Sequence, residues 1–262
     1  MRFLAKLCER LRLKAPDERA AEWRFDVPAD TLLFAIGDIH GEARKLDRLL
    51  AKIAVEAERG EQEGLQTKII FLGDLIDRGP DSKAVLERLT SDPLLRNARF
   101  LMGNHEQAMM DFLQDPLSHR AWLDHGGLDT LGSFGIVASQ AVAGERLIEI
   151  RDVLASRLTP SMRHFLSQLE DYVIYGDYLF VHAGLRPGVP LDEQRQEDLF
   201  WIREPFLSSR RHHGYRVVHG HTIVDTPAIL PNRVGIDTGA YAGGSLTAAF
   251  ISKQTLSFLT DL

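Results

Sequence analysis

Five short clusters in the chain gather side chains that bind cations and phosphates. Asp38 and His40 stand two residues apart in Gly37-Asp38-Ile39-His40-Gly41, Asp74, Asp77 and Arg78 fall between Gly73 and Gly79, and Asn104, His105 and Glu106 follow Gly103. His182 sits in Val181-His182-Ala183-Gly184, and His219 and His221 flank Gly220. A carboxylate and an imidazole two residues apart can face one cation together, and glycines beside them let the chain turn sharply and a ligand come close. Carboxylate, amide oxygen and imidazole form a borderline-hard donor set. It suits Mn, Fe, Zn or Co better than an all-oxygen calcium site or a thiolate zinc site. Each residue also has an ordinary reading: Asp38, Asp74 and Asn104 as helix caps, His182 as a core histidine bonded to backbone. Five such clusters at successive strand ends make a shared site the better account.

The elements that must position them are legible from the apolar pattern. Runs at 31–36, 68–72, 99–102, 178–181 and 215–218 are short and β-prone, and each stops at one of the clusters. Leu46, Leu49, Leu50 and Ile53 recur at helical spacing and predict an amphipathic helix over a sheet, giving βαβ units. A second helix is expected after Pro80 towards Leu89, and a third from Asn104. The polar, glycine-bearing stretch 59–66 reads as a surface loop. The last third reads as mostly sheet, with strands near 171–182, 215–219, 233–237, 245–251 and 254–259. The segment 111–170 does not read as core and is the expected source of specificity. No linker, repeat or low-complexity tract divides the chain, so an extension at 1–30 and one domain at 31–262 are expected. Within the extension, Leu4, Leu7, Cys8 and Leu11 lie at helical spacing among basic residues, which predicts a helix docked on the domain or frayed rather than a membrane-surface anchor.

Taken in order, the three glycine-bracketed clusters and the two histidine clusters resemble the calcineurin-like metallophosphoesterase superfamily. Within it they look closest to the phosphoprotein phosphatase branch of bacterial type, a likeness that runs from 31 to about 250 and includes the Trp122 to Gly135 segment and Trp201-Ile202-Arg203. The resemblance implies an α/β fold, a four-layer α/β/β/α sandwich of two mixed sheets flanked by helices. It implies two divalent transition-metal ions, with Mn the first choice and Fe, Zn or Co as alternatives. Asp38 and His40 would hold the first, Asp74 would bridge both, and Asn104, His182 and His221 would complete the second. A hydroxide shared between the metals would attack phosphorus in line with the leaving oxygen. His105 would protonate that oxygen, with Asp77 orienting its imidazole. Arg78 and Arg203 would grip phosphate oxygens through guanidinium geometry, and the helix opening at Asn104 would turn its positive end to the same anion. Tyr241, in the Asp237 to Gly244 loop, would touch substrate.

Two choices depend on the same likeness. His221 is preferred to His219 because it follows the glycine, and Ile223 stands where many superfamily members carry one more histidine, an absence shared with the protein phosphatase branch. His119, His125, His164, His212 and His213 match no motif and are expected at the surface or in loops. The implied reaction is phosphomonoester hydrolysis on phosphoserine, phosphothreonine or phosphotyrosine in proteins. The alternative is a symmetrical diadenosine tetraphosphate hydrolase or an RNA-decapping pyrophosphohydrolase. A non-catalytic scaffold is disfavoured, since no ligand position is lost.

Composition limits the partners. A formal net charge of -6 argues against general affinity for nucleic acid, leaving a phosphorylated protein or a small phosphoester. The single cysteine, Cys8, excludes an intramolecular disulfide and points to a reducing, cytoplasmic home. No apolar run reaches membrane-spanning length, and 44% hydrophobic residues can fill an ordinary core.

Overall fold

Every residue of the first strand, β1 (Thr31–Ile36), is buried, and its side chains divide between two cores. Leu32, Phe34 and Ile36 face a helical layer, whereas Leu33 and Ala35 face a second sheet. That division follows from the two-residue period of a strand covered on both sides. The structure is a computed structural model that describes residues 23–253 and 255–262. The amphipathic helix expected at 1–14 lies outside the described residues.

The chain continues through α1 (Ala43–Gln62), β2 (Gln66–Phe71), α2 (Ser82–Ser91), β3 (Arg99–Phe100) and α3 (Asn104–Gln114). A 3-10 turn at Arg120–His125 leads into α4 (Gly127–Ser133), α5 (Glu145–Arg157) and α6 (Pro160–Ser167). The last part holds β4 (Tyr172–Tyr175), β5 (Tyr178–Val181), α7 (Gln196–Trp201), β6 (Arg216–His219), β7 (Ala228–Ile229), β8 (Arg233–Gly235), β9 (Thr247–Ser252) and β10 (Thr255–Thr260). Two five-stranded sheets result, ordered β10-β9-β1-β2-β3 and β4-β5-β6-β8-β7. Both are mixed: β1, β2 and β3 run parallel, as do β5, β6 and β8, and the remaining pairings are antiparallel.

Packing holds these layers together. Leu46, Leu49, Leu50 and Ile53 of α1 are buried on the first sheet, each worth about 1.5–3 kcal/mol over exposure. Between the sheets lie Leu33, Ala35, Ile70, Leu72, Phe180, Val218, Val234 and Ala249. Phe25 and Val27, ahead of the boundary expected at residue 31, are buried in the same cluster. The far face of the second sheet is covered by Leu199, Phe200, Ile202 and Phe206, from the short α7 and the chain after it. This is the expected four-layer sandwich, with a thin outer layer.

Two expectations are corrected. The stretch 59–66 is not wholly loop, because α1 runs on to Gln62. Gly60 suggested a break, yet it is buried against the sheet, where a Cβ would lie 2.6 Å from Leu32 Cδ2. The segment 111–170 is not outside the core either. Phe112, Trp122, Leu131, Ile150, Leu154 and Met162 join the main cluster beside the first sheet. Their helices are short and separated by turns, so no long periodic run announces them.

Candidate metal centre

All five clusters leave the C-terminal ends of parallel strands: Asp38 and His40 after β1, Asp74 after β2, Asn104 after β3, His182 after β5 and His221 after β6. The turns are tight. Among the described residues six non-glycines have positive φ, and five of them are His40 (47°), Asp74 (49°), Asp77 (72°), Arg78 (67°) and His221 (60°). Such conformations cost of order 1–3 kcal/mol each and persist only where the surroundings enforce them. Here backbone bonds do so: Ile39 and His40 donate to the Asp74 carbonyl at 3.0 and 2.8 Å, and Gly41 donates to Leu75 at 3.0 Å. Glu106 is fully buried and joins two turns, accepting from the N–H groups of Gly103 (3.0 Å), Asp74 (2.9 Å), Leu75 (2.8 Å) and Ile76 (3.2 Å). Sequence reasoning assigned Glu106 no role, although an acid at the third position of a helix is a capping signal.

One donor group joins the two sheets. His182 donates from Nδ1 to the Leu72 carbonyl at 2.8 Å, which leaves a lone pair on Nε2. That nitrogen lies 3.0 Å from Asn104 Oδ1 and 3.4 Å from Asp74 Oδ1, and His221 Nδ1 lies 2.9 Å from the same Asn104 oxygen. Burial holds the pKa of His182 down and that of His221 at about 3, which favours the neutral form of each ring. The Nε2 lone pair of His182 therefore faces the oxygens of Asn104 and Asp74, His221 Nε2 is buried without a partner, and a cation would satisfy such a donor set. Donors about 2.0–2.2 Å from a shared ion stand roughly 3.0–3.5 Å apart, so the spacing fits. His219 lies outside this group, against Phe206, with Nδ1 on the Gly220 carbonyl.

The second group adjoins it. His40 donates from Nδ1 to the Ile76 carbonyl at 2.9 Å, and its Nε2 lies 3.4 Å from Asp74 Oδ2. Burial holds the His40 pKa at about 3. Asp38 accepts the His221 N–H at 3.2 and 3.0 Å on its two oxygens. Burial, then Asp237 and Asp74, push the Asp38 carboxyl well above its usual range. Burial also raises Asp237 to about 6, with Asp74 adding to it. For Asp74, burial works in the same direction, but the surrounding histidines outweigh it and hold the carboxyl low. A knot of buried carboxylates beside neutral imidazoles has the chemistry of a divalent-cation site.

His105 is oriented differently. Its Nδ1 contacts Asp77 Oδ2 at 2.7 Å, and Nε2 stands 3.9 Å from Asp74 Oδ2. Burial opposes its protonation, but Asp74 and Asp77 outweigh burial and raise its pKa. Its Nδ1 is committed to Asp77, while His105 also groups with His40 and Asp74 as a set that could hold a metal ion. Arg78, Asn104, His105, Trp122, Trp201 and Arg203 line one cleft of about 410 Å³. His119 and His125 line it too, a place that no motif signalled. Tyr241 instead packs on Arg78, 4.8 Å from its guanidinium carbon, and edge-on against His40 at 4.9 Å. Lys45 ties down the Tyr241 loop through the Ala240 and Gly244 carbonyls at 2.5 and 2.7 Å.

Comparison with known proteins adds to this geometry. Residues 32–242 match the family of calcineurin-like phosphoesterases. The chain is 25% identical over 233 residues to the asymmetrical bis(5'-nucleosyl)-tetraphosphatase PrpE of Halalkalibacterium halodurans, covering 81% of this chain and 87% of that protein. It is 27% identical over 242 residues to the enzyme of the same name from Geobacillus thermodenitrificans, covering 84% and 90%. A crystal structure provisionally named a diadenosine tetraphosphatase superposes with a TM-score of 0.60 at 20% identity, over 91% of this chain and 98% of that one. A cold-active protein tyrosine phosphatase gives 0.55 at 16% identity, over 90% and 81%. At such identities these structures speak for the fold alone. The curated relatives cited are tetraphosphatases, not phosphoprotein phosphatases. With most of its length matched, the chain belongs to the calcineurin-like phosphoesterase family and is a hydrolase of phosphoester bonds.

Proposed function

We propose that the chain hydrolyses dinucleoside polyphosphates. The observation that carries this reading is the run of asymmetrical tetraphosphatase relatives covering 81–87% of the chain. The cleft is compatible with such a substrate, with Arg78 and Arg203 for phosphates and the half-exposed Trp201 ring at its wall for a nucleoside. The phosphoprotein reading expected from sequence gives way to its alternative, and within that alternative the relatives' name favours asymmetric cleavage, into a nucleoside monophosphate and a triphosphate, over the symmetrical cut.

In this proposal Asp38, His40, Asp74, Asn104, His182 and His221 hold two divalent cations, which when bound would screen the phosphate charge and ease ionisation of water near neutral pH. Arg78 and Arg203 hold non-bridging oxygens in line for attack. As water oxygen bonds to phosphorus, the bond to the leaving oxygen breaks and its electron pair stays with that oxygen. His105 supplies a proton there from Nε2 and regains one from solvent, while Asp77 keeps Nδ1–H directed. A cytoplasmic site of action belongs to the same proposal, in keeping with the lone Cys8.

One observation favours a second reading. A well-held acid matters most when the leaving group is an alkoxide, as in a phosphoserine peptide, and least for a phosphate leaving group. Assays of Mn-loaded protein on diadenosine tetraphosphate and on phosphopeptides decide between them. Faster cleavage of the dinucleotide, with AMP and ATP as products and loss in Asp74→Asn, is expected. Faster turnover of phosphopeptides would transfer the assignment to the second reading.

A further inference from the structure

The Asp77 carboxylate is fully buried, and both of its oxygens are engaged by side chains. Oδ2 accepts from His105 Nδ1 at 2.7 Å and from Trp122 Nε1 at 2.8 Å, and Oδ1 accepts from Thr130 Oγ1 at 2.6 Å. The Asp77 N–H donates to Thr130 Oγ1 and Ser82 Oγ, both at 3.0 Å, and the two hydroxyl oxygens are 2.9 Å apart. Trp122 and Thr130 are themselves buried. They come from the 3-10 turn and from α4, within the segment that the sequence suggested for specificity.

We propose that Trp122 and Thr130 are positioning residues for proton delivery, acting through Asp77 on His105. The inference rests on the reading of His105 as the acid. A carboxylate has a broad, two-fold torsion about its last bond, so one bond to His105 alone would leave its plane free to swing. Donors from two other elements remove that freedom. An indole N–H only donates, so Trp122 meets the carboxylate in one way. With the plane fixed, the His105 ring is fixed, and Nε2 keeps its aim into the cleft. A buried carboxylate needs donors whatever it does, so its satisfaction alone does not separate positioning from plain structure.

Dependence on the leaving group does separate them. Trp122→Phe, Thr130→Val, Thr130→Ser and His105→Asn are compared with the parent in metal-loaded form, on phosphomonoesters ranging from alkyl through p-nitrophenyl to dinitrophenyl. Losing a partner that orients a functional group typically costs about 10–100-fold, which is the loss expected in kcat/KM for Trp122→Phe and Thr130→Val on the alkyl ester. The loss should shrink steadily as the leaving group improves, parallel to His105→Asn, and Thr130→Ser should restore the parent profile. If Thr130→Val does not fold, Trp122→Phe carries the test alone. A loss equal on all esters, or no loss, overturns the positioning role. A flat profile for His105→Asn itself would instead remove the acid role, and the inference with it.

Discussion

Arg78 combines strain and function in one residue. Its φ of 67° is unfavourable for a residue with a Cβ, and its guanidinium sits 3.1 Å from His40 Nε2 under the Tyr241 ring. A left-handed conformation costs an L-residue roughly 1–2 kcal/mol, whereas glycine adopts it freely but loses about 0.5–1 kcal/mol through chain entropy. Arg78→Gly should therefore leave stability unchanged or raise it by up to about 1.5 kcal/mol in urea melts. Activity should move the other way. Removing one preorganised donor typically costs about a hundredfold or more, so kcat/KM on diadenosine tetraphosphate should fall by that order. Arg78→Lys, which keeps the backbone strain and the charge, should also lose activity because an ammonium cannot grip two oxygens in a fork. A stability loss of several kcal/mol in Arg78→Gly would show that the turn is not strained.

At the level of elements, the turn after β6 shows how closely the two sheets approach. A Cβ on Gly220 would fall 1.9 Å from Asp38 Oδ1, so this turn from one sheet is moulded onto a carboxylate from the other. Gly220→Ala should displace Asp38 while leaving the strands in place. The expected result is an unchanged circular dichroism spectrum with less than the parent's metal content by elemental analysis; full metal content would refute it. The residues on these turns were legible in the sequence because each follows a short, β-prone apolar run whose length and flanking turn residues mark it as a strand. What was not legible depends on distance along the chain. Trp122 and Thr130 meet Asp77 across 45 and 53 residues, and no local pattern announces such pairings. The end of α1 was misread for a related reason: Gly60 looks like a helix breaker until Leu32 of the neighbouring strand is seen to occupy the space of its Cβ. Substrate choice was the least legible feature, since the motifs describe phosphoryl chemistry and not what the phosphate is attached to.

For the molecule as a whole, the candidate ligands are shared between sheets. Asp38, His40, Asp74 and Asn104 come from the first, His182 and His221 from the second. Cations held there would bind only the assembled sandwich, which adds about 2.7 kcal/mol at a hundredfold excess over Kd. Chelation should lower the melting temperature by roughly 2–4 °C for each kcal/mol lost, and calorimetry with and without EDTA would test this. An identical melt would mean that no such ion links the sheets. Acid should weaken the fold at another place. Burial, with help from His212 and Arg233, lowers the His213 pKa from 6.5 to about 4. The folded state thus keeps this ring neutral where the unfolded chain protonates it, so its contribution is intact above about pH 6.5 and is lost as pH falls towards 4. Melts at pH 7 and pH 5 should differ less in His213→Gln than in the parent. Because all the chemistry leaves the C-terminal ends of parallel strands, the opposite rim of the sheets is a blind side. The exposed Glu63-Gly64 turn enters β2 from that rim, and a Cβ at Gly64 would meet nothing within 4 Å. A tag or fluorophore spliced there would report on the enzyme without obstructing its mouth.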